Sequence, residues 1–192
     1  MNLRFVVSLA MLSSVAAFAQ AVDTPFQVKY AANLNVGDSV FNISNSGVTG
    51  GNICANVYTF SPDEQLISCC ACPVTPNALV SLSARADLIS NTLTPAVPNS
   101  IVVKIVSTTG ATCNASATTN TQAAGLLAWG TTLHATPVAG AFGVTETAFS
   151  PASLSAAELA RITSLCGFIQ SNGSGFGICR SCRLGGQGAS KQ

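Results

Sequence analysis

Residues 52–77 read NICANVYTFSPDEQLISCCACPVTPN, and their pattern predicts two β-strands joined by a short link. Side chains two residues apart share one face of a strand. One predicted face carries Ile53, Ala55, Val57 and Thr59, and the other carries Cys54, Asn56, Tyr58 and Phe60. A second extended segment begins at Leu66 and is expected to end at Pro73 and Pro76, because proline lacks the N–H that a β-ladder needs.

The link between the two segments, Ser61–Gln65, fits two local structures. A serine followed by proline, with Glu64 three residues after Ser61, is typical of a helix start with a capping box. The same residues fit a type I turn with Pro62 at its second position. The apolar run that follows is short for a helix, so the sequence favours a β-hairpin.

Several further segments have the β-branched and aromatic content of strands. They are residues 26–36, 39–44, 100–109, 126–135 and 141–149. In the first of them, Val28, Tyr30 and Ala32 share one face. The segment Ser100–Thr109 contains a near-continuous apolar run, which predicts burial on both faces. Asn77–Asn91 fits two predictions equally: a short helix, or a strand followed by a loop.

One helix is predicted near the C-terminus. Ser155–Glu158 forms a capping box, and Asn172–Gly173 supplies a stop signal. An apolar stripe recurs at helical spacing through Leu159, Ile162, Cys166 and Ile169. Because Cys166 belongs to this stripe, we expect its thiol to face a sheet.

These elements together predict a mainly β fold. The expected architecture is an antiparallel β-sandwich of about seven strands, immunoglobulin-like in general architecture. One amphipathic helix follows at the C-terminus. A glycine-rich tail, residues 171–192, contains the pair Cys179-x-x-Cys182 and is expected to be tied to the body by disulfides.

The N-terminus has the pattern of a signal peptide. Met1–Arg4 carries one positive charge, Phe5–Phe18 is apolar, and Ala17 and Ala19 are the small residues that precede cleavage. An apolar run of this length is short for a membrane span, which needs about 20 residues. We therefore expect residues 1–19 to be a signal peptide and residues 20–192 to form a single disulfide-stabilised domain. That domain would be secreted or periplasmic, with no transmembrane segment after cleavage.

The cysteines are the most specific feature of the sequence. An even number of cysteines in an exported chain is typical of disulfides. All eight lie after the predicted cleavage site: Cys54, Cys69, Cys70, Cys72, Cys113, Cys166, Cys179 and Cys182. Four bridges allow 105 pairings, so the sequence leaves the connectivity open. A bond between Cys69 and Cys70 would close a strained ring, so we expect these two residues to have different partners.

An alternative interpretation assigns chemistry to the two cysteine clusters, Cys69–Cys72 and Cys179–Cys182. Together they offer enough thiolates for a zinc or Cu(I) site. A C-x-x-C pair could also act in thiol redox chemistry, but it would then be expected at the start of a helix. Here it follows the predicted helix and lies between glycines. The sequence therefore favours structural disulfides, with no metal and no other cofactor.

Composition argues against several other functions. Only 8% of the residues are charged, against about 25% in a typical domain, and no basic stripe suited to nucleic acid is present. His134 is the single histidine, and Glu146 is its nearest candidate carboxylate partner. A hydrolase needs a base held by a third group. The simpler interpretation of His134 is a strand residue with a local hydrogen bond, and we expect no enzymatic activity.

Two stretches carry a resemblance to known sequences. Residues 52–77 and residues 169–186, which read IQSNGSGFGICRSCRLGG, resemble a group of uncharacterised exported bacterial proteins that contain cysteines. The likeness runs over most of the mature chain. It implies a bacterial secreted or periplasmic protein, and it transfers no activity and no functional residue.

The sequence thus predicts a non-enzymatic exported domain, structural or binding, whose ligand is left open. Removal of Arg4 with the signal peptide leaves seven basic and seven acidic residues, so the mature chain is formally neutral. Low charge means little repulsion between copies. Self-association or a cell-surface protein partner is therefore compatible with the sequence, whereas nucleic acid is not.

Overall fold

The structure is a computed structural model that describes residues 24–110, 112–117 and 121–180. The described part contains nine strands, one α-helix and one π-helical turn. The strands are β1 (Phe26–Ala31), β2 (Val40–Asn45), β3 (Ile53–Phe60), β4 (Leu66–Val74), β5 (Leu79–Ser83), β6 (Ile101–Thr108), β7 (Leu126–Ala135), β8 (Phe142–Ala148) and β9 (Ser150–Pro151). The helix is α1 (Ala156–Ser171). The predicted signal peptide, residues 1–19, and the tail from residue 181, with Cys182, lie outside the described residues.

The strands form two sheets in which every pairing is antiparallel. One sheet has the order β4-β3-β6-β1-β9 and the other has the order β5-β2-β7-β8. A shared core of residues from both sheets fills the space between them, including Phe41 and Ile43 from β2 and Val57 and Ile105 from β3 and β6. The predicted antiparallel sandwich with one C-terminal helix is therefore confirmed.

The five-stranded sheet is buried on both faces. Its inner face meets the second sheet, and its outer face is covered by α1. A second apolar cluster joins the helix residues Ile162 and Ile169 to Tyr58 and Val106 on that outer face. This double burial explains the continuous apolar run of β6, as the sequence predicted. The helix begins where expected, because Ser155 Oγ accepts a hydrogen bond from the Glu158 amide at 3.1 Å.

The hairpin interpretation of residues 52–77 is also confirmed. β3 and β4 pair along their length and Ser61–Gln65 forms the turn between them. Glu64 adopts φ of +65° within this turn. Pro73 lies inside β4 rather than ending it, opposite Cys54. It is tolerated there because β4 is the outermost named strand of its sheet, where a missing amide hydrogen costs little.

β1 is shorter than predicted. It ends at Ala31, because Asn33 adopts φ of +58° and its carbonyl accepts hydrogen bonds from the amides of Val36 and Gly37. Asparagine tolerates this left-handed conformation better than most residues do. Tyr30 is 57% exposed, while Ala31 is fully buried between the sheets.

Asn77–Asn91, for which the sequence left two predictions, begins with a strand that is followed by a turn. β5 leads into the π-helical turn Ala84–Leu88. Ser83 caps this turn: its hydroxyl accepts from the Ala86 amide at 2.8 Å and donates to Asp38 Oδ2 at 2.5 Å. The turn is too short to count as the helix that the sequence also allowed.

Candidate functional site

The adjacent cysteines of β4 point to opposite faces of their sheet. Cys69 lies on the outer face and is bonded to Cys166 of α1, with 5.9 Å between the two Cα atoms. Cys70 lies on the inner face and is bonded to Cys179 of the tail, with a Cα–Cα distance of 5.3 Å. The alternation of a strand is the cause. As the sequence predicted, the two residues have different partners.

A third disulfide joins Cys54 of β3 to Cys113, in the segment before β7. Close to it, the buried Tyr58 hydroxyl donates to the Ala115 carbonyl at 2.6 Å, and burial raises the pKa of Tyr58 well above its usual value. Cys72 is disulfide-bonded as well. The remaining cysteine, Cys182, lies outside the described residues. The protein is thus a disulfide-stabilised β domain.

The tail also covers part of one edge of the five-stranded sheet. The Cys69 amide donates to the Gly177 carbonyl at 2.8 Å, and the Cys179 amide donates to the Cys69 carbonyl at 3.3 Å. Gly177 in turn donates to the Asn91 carbonyl at 2.7 Å. The tail therefore lies along β4 as a short parallel neighbour. Its hydrogen bonds use the edge groups that a β-sheet otherwise exposes.

This arrangement bears on the metal and redox interpretation of the clusters. Cys69, Cys70 and Cys179 are engaged in two disulfides on opposite sides of a sheet, so their sulfur atoms do not form one ligand set. Within residues 24–110, 112–117 and 121–180, no group of three or more histidine, cysteine or acidic residues is placed to hold a metal ion.

The structure does not bring His134 and Glu146 together. His134 Nε2 lies 2.8 Å from Thr145 Oγ1 on the surface of the β7–β8 pair. The side chain of Glu146 instead accepts a hydrogen bond from Asn42 Nδ2 at 3.4 Å. In the strand register Glu146 is opposite Thr131, whereas His134 is opposite Gly143. His134 thus has the local polar contact expected of an ordinary strand histidine.

An apolar cleft opens at the edge of the sandwich where β1 and β9 face β7. We call it the Trp129 cleft; its volume is about 380 Å³. It is lined by Gln27, Leu126, Leu127, Ala128, Trp129, Ala148, Phe149 and Pro151. None of these side chains titrates near neutral pH. Its wall is built from the core, because the ring of Phe149 packs edge-on against the buried Phe41, with 5.7 Å between centroids.

The position of Gln27 in the Trp129 cleft is fixed by hydrogen bonds. Its Nε2 donates to the Leu126 carbonyl at 2.8 Å and to the Thr24 carbonyl at 3.2 Å. The side chain links the two sheets at the base of the cleft and is only 6% exposed. A preformed apolar pocket with a small number of placed polar groups is the usual form of a small-molecule site.

The amino-acid sequence alone does not reveal the Trp129 cleft. Its one signal was the single tryptophan of the chain. Gln27 and Leu126 are 99 residues apart, and the cleft exists only because β1 and β7 meet across the two sheets. Nothing in local periodicity predicts which strands of a sandwich will face each other at an edge.

A second groove follows the helix and has a different chemistry. It has a volume of about 450 Å³ and lies between the β3–β4 turn and α1. Lys104 Nζ lies 2.6 Å from Glu158 Oε1 and 4.7 Å from the centroid of the Phe60 ring. The cation is therefore already neutralised within the protein. Arg161 and Glu64 add one further charge of each sign, which leaves no net charge to attract an ionic ligand.

Lys29 is an unusual charged residue on the inner face of β1. Its side chain is 8% exposed, and Nζ donates to Thr147 Oγ1 of β8 at 2.5 Å. Burial lowers the pKa of Lys29, and the nearby Glu146 carboxylate opposes part of this effect. Folding thus places a lysine in a site where its protonated form is less favourable than in water.

We expect this burial to make stability depend on pH. The unfolded chain holds the Lys29 proton more tightly than the folded chain does, so stability rises with pH in the window below the usual lysine pKa of 10.5. Urea unfolding from pH 7 to pH 10 should show wild type gaining stability relative to Lys29→Met. A constant difference between the two proteins would contradict the prediction.

Comparison of the chain with protein-family models found no match, and neither did comparison with curated proteins or with solved structures. Across the described residues, no helix is both long and apolar enough to cross a membrane. The 16-residue helix α1 instead packs its apolar stripe on the five-stranded sheet.

Proposed function

We propose that this chain is an exported, non-enzymatic binding domain and that the Trp129 cleft is its binding site. One observation carries the proposal: the cleft is preformed, apolar and lined by no acid or base. Such a surface gains affinity by burying apolar area and offers no group for proton transfer or nucleophilic attack. Binding without chemistry is the function that this lining supports.

The lining also defines a class of ligand. A volume of about 380 Å³ lies within the range of about 300–1,000 Å³ that small-molecule sites occupy. The indole of Trp129 offers an aromatic surface and one N–H donor, whereas both amide hydrogens of Gln27 already bond backbone carbonyls. The ligand we infer is a small, uncharged, largely aromatic or aliphatic molecule with one polar end.

Export is supported by two independent features. The first is the signal-peptide pattern of residues 1–19. The second is the presence of disulfides, which persist in oxidising compartments and are rare in the cytosol. A secreted or periplasmic location accounts for both.

The single tryptophan of the chain makes the site directly testable. The probe is N-phenyl-1-naphthylamine, an uncharged aromatic molecule with one N–H, whose emission rises on apolar surfaces and which accepts energy from tryptophan. We expect saturable probe emission together with quenching of Trp129. Replacing Ala148 by phenylalanine fills the cleft, because Ala148 lies opposite Trp129 and lines the same space. Ala148→Phe should weaken binding about tenfold, as expected for about 1.4 kcal/mol of lost contact.

The matched control is Ala135→Phe. Ala135 is exposed at the far end of the same strand pair, opposite Phe142, and lies outside the cleft. Its substitution should leave probe affinity unchanged. The proposal fails if wild type shows no saturable quenching of Trp129, or if Ala148→Phe and Ala135→Phe bind the probe equally well. Thermal melting of both variants shows whether either has lost its fold.

A further inference from the structure

Among the described residues, the outer edge of β8 is the longest strand edge that no other segment covers: β8 has seven residues, and β5, at the opposite edge of the same sheet, has five. In the described part of the chain, no other segment pairs with this side of β8. The other sheet contrasts with it: the edge of β4 is partly covered by the tail, and β9 has only two residues and ends in Pro151. A free edge presents unpaired backbone N–H and C=O groups that can pair with another strand.

The residues of β8 are suited to such pairing. The strand reads FGVTETA and all seven side chains are exposed or half-buried. Phe142 is 39% exposed and Val144 is 60% exposed. Natural proteins usually protect an open edge with lysine, proline or a bulge. Here the only charge is Glu146, and β8 pairs with β7 in an unbroken register.

We propose that β8 pairs in antiparallel fashion with β8 of a second copy, about a two-fold axis at Thr145. This register pairs all seven residues of the strand. It places Val144 opposite Glu146 of the second copy, Gly143 opposite Thr147, and Phe142 opposite Ala148. The two four-stranded sheets then become one continuous eight-stranded sheet across the dimer.

Charge favours a second copy as the occupant and selects the register. The chain carries eight basic and seven acidic residues, or seven of each without the predicted signal peptide, so two copies approach with little long-range repulsion. In the register centred on Thr145, neither Glu146 faces a like charge. Moving the axis to Glu146 would place the two carboxylates directly opposite each other, which destabilises a pair of strands. Centring it on Val144 would pair only five of the seven residues.

Substitutions of Val144 test the register. They distinguish a specific contact with Glu146 of the second copy from a general effect of adding a charge to the surface. In Val144→Glu, each new carboxylate faces Glu146 of the second copy, at two symmetric places. Because like charges directly opposite each other destabilise a pair of strands, and this happens at two places, the dimer should weaken by up to about 30-fold. In Val144→Lys, an ammonium faces Glu146 instead, and the dimer should be as tight as wild type or tighter. Sedimentation equilibrium of the mature, oxidised chain measures both.

Val138→Glu is the matched control. Val138 lies in the β7–β8 loop and is 66% exposed, so a new charge there should not affect the dimer. Thermal melting of each variant confirms that its fold is retained. A monomer for wild type throughout the micromolar to millimolar range overturns the proposal, and it would favour a strand of another protein on this edge. Equal weakening by Val144→Glu and Val144→Lys overturns the register.

Discussion

Replacing Cys69 and Cys166 together by alanine should lower the free energy of unfolding by about 2–5 kcal/mol. This disulfide joins β4 to α1 across 97 residues of sequence, and both cysteines are fully buried. The cross-link limits the freedom of the unfolded chain, and its loss also weakens the cover over the outer face of the five-stranded sheet. Substituting both residues avoids a free thiol. Denaturant unfolding at fixed pH measures the change.

The pair Cys54 and Cys113 provides the comparison. That bond spans 59 residues and holds a loop against β3 rather than attaching the helix. Its double alanine variant should lose less stability and should leave hydrogen exchange in α1 unchanged, whereas the Cys69/Cys166 variant should speed exchange throughout α1. Equal exchange in the helix for both variants would show that apolar contacts alone hold α1 in place.

Local signals in the sequence account for the elements that were predicted correctly. The hairpin of β3 and β4 follows from an alternating segment and a second extended segment on the two sides of a proline-containing turn. The helix follows from a capping box, an apolar stripe and a glycine stop. Each of these patterns lies within about 20 residues of sequence and needs no knowledge of the rest of the fold. The early end of β1, just before Asn33, also has a local cause. Most asparagines do not adopt a positive φ, however, so the residue type alone does not predict where the strand ends.

Features that depend on distant contacts could not be predicted in the same way. The sequence implied that Cys69 and Cys70 have different partners, because a bond between adjacent cysteines would close a strained ring. It could not show that the outer face would meet α1 and the inner face the tail. The Trp129 cleft and the distance between His134 and Glu146 likewise depend on sheet order and register. Those are set by the summed packing of nine strands.

The role of Asn45 also depends on distant contacts, so the sequence could not predict it. In the sequence it directly follows the predicted strand 39–44, at the start of the polar run Asn45–Gly47. In the structure it is the last residue of β2, and its side chain is fully buried. Its Nδ2 donates to the Gly51 carbonyl at 2.9 Å and to the Val74 carbonyl at 3.0 Å. Its Oδ1 accepts from the Gly47 amide at 2.9 Å.

Asn45→Ala should therefore destabilise the protein by about 3–5 kcal/mol. Three backbone groups lose their partner, and each buried unsatisfied group costs about 1–3 kcal/mol, reduced where water can enter. The measurement is denaturant unfolding beside Asn42→Ala, from the same strand. Asn42 faces outward and bonds Glu146 and Ser81, so its loss should cost less than about 1 kcal/mol. Equal losses at the two positions would mean that Asn45 does not join the ends of β2, β3 and β4. A much larger loss at Asn45 would identify it as the polar residue that fixes where these three strands meet.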